Sequence, residues 1–152
     1  MAGSARIALR LRTPATTVVA DTGALYALID RSDAWHARVV AWWERNRQPV
    51  VVPVSVLPEV TYLLQTRIGA DAELAFVRAV AAGEFTIEAL DPDDLDRVAE
   101  VMDAYADFPL GFVDASIVAI AERLETREVL TTDRRHFSAV RPRHARGFQL
   151  VP

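Results

Sequence analysis

The segment from Thr17 to Leu25, with the sequence TVVADTGAL, decides how the rest of the chain is interpreted. Its β-branched, apolar first half is typical of a buried strand, and residues 22–29 are predicted to form a helix. Asp21 therefore stands where a strand ends and a helix begins. Ligands bind at this edge of open α/β sheets. An aspartate here is equally well explained as the N-cap of the helix, so its position alone leaves both roles open.

Composition indicates one compact domain. The chain has 152 residues, of which 51% are hydrophobic and 25% are charged. We take residues 1–16 as a flexible N-terminal leader and residues 17–152 as a single domain. The apolar runs are too short for a membrane span or a secretory signal. The absence of cysteine excludes disulfides and thiolate metal sites. We therefore expect a cytoplasmic protein that does not contact membranes.

Apolar periodicity divides the domain into strands that alternate with pairs of helices. Further strands are expected at 49–53, 85–90, 128–131 and 147–151, and further helices at 34–46, 56–68, 71–82, 91–105 and 112–124. This order predicts a three-layer α/β/α sandwich around a central, mainly parallel sheet of four to five strands. The segment 134–146 is expected to be a loop without a helix.

The distribution of charge matters more than its sum. A net charge of -4 argues against nonspecific coating of nucleic acid, but segment 134–146 contains five arginines, two histidines and no acid. All 17 basic residues of the chain are arginine. Arginine contacts phosphate in a bidentate manner, although a GC-rich codon bias explains the same composition.

Four acidic residues occupy corresponding places in the predicted elements. Asp21 and Asp133 follow strands, whereas Glu59 and Asp114 lie in the first turns of helices. The carboxyl ends of parallel strands share one edge, so these side chains are expected to converge there. Clustered carboxylates repel one another, and Mg²⁺ relieves that repulsion with all-oxygen coordination. Such a site points to phosphodiester hydrolysis. Helix capping or a favourable contact with the helix dipole remains the alternative for each acid.

Four segments resemble, in order, the motifs of the PIN domain. They are VVADTGAL at 18–25, VSVLPEV at 54–60, LGFVDASIVA at 110–119 and LTTDRRHF at 130–137. The resemblance extends from residue 17 to the end of the chain, and it is strongest to the VapC-type toxins of bacterial toxin–antitoxin pairs. It implies a small Mg²⁺- or Mn²⁺-dependent endoribonuclease that forms a homodimer and is silenced by a VapB-type antitoxin.

The resemblance also implies a catalytic role for all four acids. We hypothesise that Asp21, Asp114 and Asp133 hold the cation directly. Glu59 is expected to act on the metal through water or to help activate the attacking water.

Further residues are given supporting roles. The resemblance assigns Thr22 and Thr131 to positioning the site through their hydroxyl groups, and it adds Asp107, which precedes the third motif. We expect Arg134 and Arg135 to contact RNA phosphates, because phosphate contacts dominate affinity for nucleic acid. Solvated loop arginines are the alternative for both residues.

Two other functions stay open from the sequence. The same acids are compatible with a metal-dependent DNA nuclease. They are also compatible with a noncatalytic RNA- or partner-binding module in which each acid merely caps a helix.

Overall fold

The computed structural model describes residues 16–152, so the leader expected at 1–16 lies outside the described residues except for its last residue. The elements are β1 (Val18–Ala20), α1 (Thr22–Ile29), α2 (His36–Arg45), β2 (Val50–Pro53), α3 (Val56–Arg67), α4 (Ala70–Ala81), β3 (Thr86–Glu88), α5 (Pro92–Ala104), α6 (Phe112–Arg123), β4 (Glu128–Leu130), α7 (Arg134–Ala139) and β5 (Gln149–Val151). In this part of the chain no helix is long and apolar enough to cross a bilayer.

The strands form one five-stranded sheet in the order β3-β2-β1-β4-β5. Every neighbouring pair is parallel, with β1 in the middle between β2 and β4. The predicted three-layer α/β/α fold is confirmed. Helical crossovers between parallel strands explain the arrangement, because each crossover covers a face of the sheet and buries it.

The core is centred on β1 and α6. The three residues of β1 are fully buried, and the segment of α6 from Ala115 to Ala121 is buried throughout. A helix composed mostly of apolar residues is covered on most of its surface. Asp114 lies one residue before the buried segment, so the core fixes the place of this acid.

Helix α7 corrects the sequence prediction, because segment 134–146 is not free of helix. Asp133 is the N-cap of α7, and its Oδ1 accepts a hydrogen bond of 3.0 Å from the His136 backbone N–H. Phe137 anchors the helix in the core with no exposed surface. A capping aspartate followed four residues later by an aromatic side chain is the signal that the prediction overlooked.

Ser55 is the N-cap residue of α3, but its side chain has another partner. Its hydroxyl makes no capping bond and instead lies 2.6 Å from the Ser116 hydroxyl, which donates to the Val113 carbonyl at 2.7 Å. This contact joins the start of α3, which carries Glu59, to the start of α6, which carries Asp114.

Replacement of Phe137 by alanine should test the anchor of α7. Removing a fully buried phenylalanine leaves a cavity and is expected to lower the free energy of unfolding by about 3–5 kcal/mol. The matched control is Phe112→Ala, because Phe112 is 46% exposed and its loss should change stability much less. Urea denaturation measures both, and equal effects would contradict the role given to Phe137.

Candidate active site

Asp21 is held at the carboxyl end of β1 by hydrogen bonds with the end of β4 and the start of α1. Its backbone N–H donates to the Leu130 carbonyl of β4 at 2.9 Å. Its Oδ1 accepts from the Thr22 backbone N–H at 2.7 Å, and its Oδ2 accepts from the Thr131 hydroxyl at 2.9 Å. Only 7% of the residue is exposed. Asp21 is thus the N-cap of α1 and also faces the end of β4, so the two roles left open by the sequence are both compatible with its position.

Thr131 links two of the acids. Its hydroxyl donates to Asp21, and the same oxygen accepts a hydrogen bond of 2.9 Å from the Asp133 backbone N–H. Thr131 has no exposed surface, so both hydrogen bonds are sheltered from water. The Thr131 side chain therefore connects the Asp21 carboxylate, after β1, to the backbone of Asp133, after β4.

Gly23 permits the close approach of α1 to the turn that follows β4. A Cβ atom at position 23 would overlap the Thr132 hydroxyl. The absence of a side chain here lets Asp21 and Asp133, which flank these two segments, approach each other.

Glu59 and Asp114 complete the group. The Thr22 hydroxyl donates to Glu59 Oε1 at 3.0 Å, which brings the first turn of α3 to the start of α1. Asp114 lies in the first turn of α6, and its Oδ2 is 3.8 Å from His136 Nδ1. The structure therefore brings together the four acids that the sequence predicted to converge.

The remaining predicted site residues lie differently. Asp107 is exposed on the turn between α5 and α6, and no hydrogen bond or ion pair connects it to the four acids within residues 16–152. The Arg134 guanidinium donates to the carbonyl oxygens of Leu150 and Pro152 and lies 5.6 Å from the centre of the Trp35 ring.

Arg135, the second residue of α7, contacts the segment between α5 and α6. Its guanidinium carbon is 5.6 Å from the centre of the Phe108 ring. Both arginines are exposed. The Arg134 guanidinium donates hydrogen bonds to its own chain, whereas within residues 16–152 the Arg135 guanidinium lies against an aromatic ring and forms no ion pair, so Arg135 is the freer of the two for a ligand.

His136 is a site residue that the sequence analysis did not select. Its Nδ1 lies 2.5 Å from Asp133 Oδ2, and its ring packs edge-on against Phe108 with centroids 5.2 Å apart. The imidazole thus lies between the carboxylates of Asp114 and Asp133. Its position three residues after Asp133 would have been a signal if residues 134–139 had been predicted as a helix.

The acids carry more negative charge than their surroundings compensate. Burial raises the pKa of Asp21 from 3.8 to about 7, and the nearby charges of Asp114 and Asp133 act in the same direction. Burial also raises the pKa of Asp114, with further contributions from Asp133 and Glu59, whereas His136 opposes the increase. Repulsion from neighbouring carboxylates therefore adds to the effect of burial at Asp21 and Asp114.

The chemistry of these side chains fits a hard divalent cation. All four acids offer oxygen atoms, which Mg²⁺ and Mn²⁺ prefer, and a cation would favour the charged forms of Asp21 and Asp114, which burial and the neighbouring acids disfavour. In the conformation described for residues 16–152, no three acidic or histidine side chains are arranged so that together they could coordinate a metal ion. The imidazole of His136 occupies space that a cation shared by Asp114 and Asp133 would need.

Comparison with known proteins agrees with this geometry. The family model described as PIN domain matches residues 18–141, which include all four acids. The chain belongs to the PIN-domain family. This PIN domain is similar to Ribonuclease VapC26 of Mycobacterium tuberculosis (strain ATCC 25618 / H37Rv), with 37% identity over 135 residues, 89% of this chain and 100% of the relative. The resemblance to VapC-type PIN domains is thereby confirmed.

Solved structures show the same fold. The crystal structure of Mycobacterium tuberculosis VapC20, a sarcin–ricin loop cleaving toxin, matches with a TM-score of 0.76 and 24% identity, over 85% of this chain and 98% of that one. DNA-bound VapBC from Salmonella typhimurium matches with a TM-score of 0.65 and 15% identity, over 89% and 96% of the two chains.

The double role of Thr131 can be tested with Thr131→Val. Valine has a similar shape but no hydroxyl, so it leaves a buried Asp21 oxygen and the Asp133 N–H without their partner. The free energy of unfolding should decrease by about 1–3 kcal/mol in metal-free buffer. Thr131→Ser, which keeps the hydroxyl, should recover most of the loss, and a serine variant as unstable as the valine variant would contradict the assignment.

The raised pKa of Asp21 predicts how stability depends on pH without metal. Between about pH 4 and pH 7 the folded chain holds a proton on Asp21 that the unfolded chain has released. The contribution of this group to stability is therefore complete at low pH and is lost as the pH rises towards 7. Asp21→Asn should remove this loss and gain up to roughly 4 kcal/mol over wild type above pH 7. Urea denaturation in EDTA at several pH values measures the difference, and parallel curves for the two proteins would refute it.

Proposed function

We propose that this protein is a divalent-metal-dependent endoribonuclease and the toxin of a VapBC-type toxin–antitoxin pair. The convergence of Asp21, Glu59, Asp114 and Asp133 at one edge of a PIN-domain sheet is the observation that carries the proposal. The 37% identity to a protein named Ribonuclease VapC26 supports the reaction and the choice of RNA.

Asp21, Asp114 and Asp133 are the residues that would hold Mg²⁺ or Mn²⁺. When bound, the cation lowers the pKa of a water molecule and offsets negative charge on the phosphodiester. Thr131 keeps Asp21 and Asp133 at a fixed spacing, and Asn or Ala at any of the three acids removes a charged oxygen donor. His136 has to leave Asp133 before that carboxylate faces a cation with both oxygens free.

Glu59 is proposed to receive the proton of the attacking water. Its residue is exposed, and the Thr22 hydroxyl orients its carboxylate towards Asp21. The water oxygen bonds to phosphorus, the P–O bond to the leaving ribose oxygen breaks, and that oxygen takes up a proton. Asp107 is proposed to contribute only when RNA is bound, because the free chain holds it on an exposed turn.

Arg135 and Arg134 are proposed to contact the RNA next to the acids. Arg135 lies beside the ring of Phe108, where a guanidinium and an aromatic face are both open to a nucleotide. Arg134 contributes positive charge from the first turn of α7, although the carbonyls of Leu150 and Pro152 already accept its hydrogen bonds.

The proposed partners are a VapB-type antitoxin and a second copy of this chain, in the cytoplasm where the RNA is found. The likeness to VapC26 supports the antitoxin, and the fold is shared with a toxin–antitoxin complex from Klebsiella pneumoniae at a TM-score of 0.66 and 18% identity. The homodimer rests on the resemblance to VapC-type toxins.

Asp21→Asn and Asp114→Asn test the proposed reaction. Each variant should cleave RNA at least about 100-fold more slowly than wild type in Mg²⁺ or Mn²⁺, the scale of loss when one group that stabilises the transition state is removed. Gel analysis of total RNA after brief incubation measures the rate and maps the cut sites. EDTA should abolish cleavage by wild type.

Asp96→Asn is the matched control, since it removes one carboxylate from an exposed position on α5. It should retain wild-type activity. Binding of Mn²⁺ should raise the unfolding temperature of wild type and of Asp96→Asn but not of the two site variants. Equal cleavage and equal metal stabilisation in wild type and Asp21→Asn would instead favour a noncatalytic module.

A further inference from the structure

The arginine-rich segment that the sequence marked as one basic loop reaches two opposite edges of the sheet. Arg134 and Arg135 begin α7, directly after the carboxyl end of β4 and beside the acids. The chain then turns back, and residues 143–147 lie near the amino ends of β4 and β5, where Gln149 pairs with Glu128. From Arg127 to Thr131 the backbone rises about 13 Å along the strand direction, so the two groups of arginines are well separated.

Three arginines line an open cleft at the amino edge. Arg127, Arg143 and Arg146 surround a cavity of about 510 Å³, together with His144, Ala145 and Gly147. Arg127 comes from the turn before β4, whereas the other two come from the segment before β5. We call this cavity the amino-edge cleft.

The walls of the amino-edge cleft are fixed to the body of the protein. The Arg143 backbone N–H donates to Glu122 Oε1 at 2.9 Å, which attaches the segment to α6. His144 Nε2 lies 2.7 Å from the Thr126 carbonyl, and the Gln149 N–H donates to the Arg127 carbonyl at 2.8 Å. The arginines are therefore presented by an ordered surface.

The charge of the amino-edge cleft is only partly neutralised. Arg143 pairs with Glu100 at 2.5 Å, and both oxygens of Glu122 are occupied by Arg97, one of them shared with the Arg143 N–H. Within residues 16–152, neither Arg127 nor Arg146 takes part in an ion pair. Two guanidinium groups are thus available to an anion.

We propose that the amino-edge cleft binds backbone phosphates of the RNA at a distance from the bond that is cleaved. Arginine suits this task because its planar guanidinium donates two parallel hydrogen bonds to a phosphate. The proposal rests on the proposed ribonuclease function and adds a second contact region to it. If the proposal is correct, the preferred ligand is a structured RNA that passes alongside β5, the outermost strand, and a short single strand binds less well.

The path between the two regions supports RNA as the occupant. Arg141 is exposed on the segment that joins α7 to the cleft, so arginines follow one another from Arg135 through Arg141 to Arg143. The sequence between Arg135 and Arg143 contains no acidic residue, although Glu100 of α5 pairs with Arg143. A polyanion that starts at the acids meets phosphate-binding groups along this route.

The double variant Arg127→Gln/Arg146→Gln tests the proposal by RNA binding in EDTA, so that no cleavage is needed. The dissociation constant for purified ribosomal RNA should increase at least about 10-fold. The slope of its logarithm against the logarithm of salt concentration should decrease by about 1–2, as expected for the loss of two phosphate contacts. The affinity for an oligonucleotide too short to reach both edges should change less than about twofold.

Arg78→Glu is the matched control, because it changes the net charge by the same amount at an exposed position on α4. It should bind ribosomal RNA as wild type does, and the unfolding temperatures of all three proteins should agree.

Unchanged RNA binding by the double variant, or equal losses for long and short RNA, would overturn the proposal. A double variant that keeps RNA binding but binds a VapB-type antitoxin more weakly would make the cleft a protein site. Failure of wild type to cleave RNA refutes the ribonuclease function, yet the binding result still decides the amino-edge cleft.

Discussion

The burial of several carboxylates close together at the carboxyl edge of a parallel sheet is the constraint on which this structure depends. Asp21 is almost wholly buried, and its pKa rises to about 7 because burial and the nearby acids disfavour its charge. The chain limits the cost with backbone and hydroxyl donors and, beside Asp114 and Asp133, with the imidazole of His136. Asp21 and Asp133 each cap a helix, and Thr131 donates to one while accepting from the backbone of the other. These backbone and hydroxyl donors hold the carboxylates in position but do not neutralise their negative charge.

The same apolar packing that stabilises the fold also positions the acids. Helix α6 is buried from Ala115 to Ala121, so it has little freedom to rotate or slide. Asp114 lies in the first turn of this helix, and its position is therefore fixed as well. The Ser55–Ser116 contact connects the starts of α3 and α6. Such a site lowers the free energy of unfolding of the free protein, because burying carboxylates is unfavourable and offsets part of the stability that core packing provides. Functional sites commonly show this conflict.

The net charge of the protein is negative, but its positive side chains are concentrated at particular places on the sheet. His136 and the arginines of α7 lie beside the acids, whereas Arg127, Arg143 and Arg146 lie at the opposite edge of the sheet. Two other arginines are paired with acids of the same chain, Arg97 with Glu122 and Arg123 with Asp94. Net charge therefore says little about where a polyanion binds, because the field at each edge depends on its nearest groups.

The sequence by itself determined the fold class, the strand and helix order up to α7, and the identity of the four converging acids. These features depend on local apolar periodicity and on the rule that parallel strands end at one edge, which are readable along the chain. Only the tertiary structure revealed His136 between Asp114 and Asp133, the engagement of Arg134 by β5, and the division of one basic segment between two edges. Helix α7 was missed because its six residues are too few for a periodic pattern and depend on burial of Phe137. Contacts between residues distant in sequence arise from packing, and no local pattern encodes them.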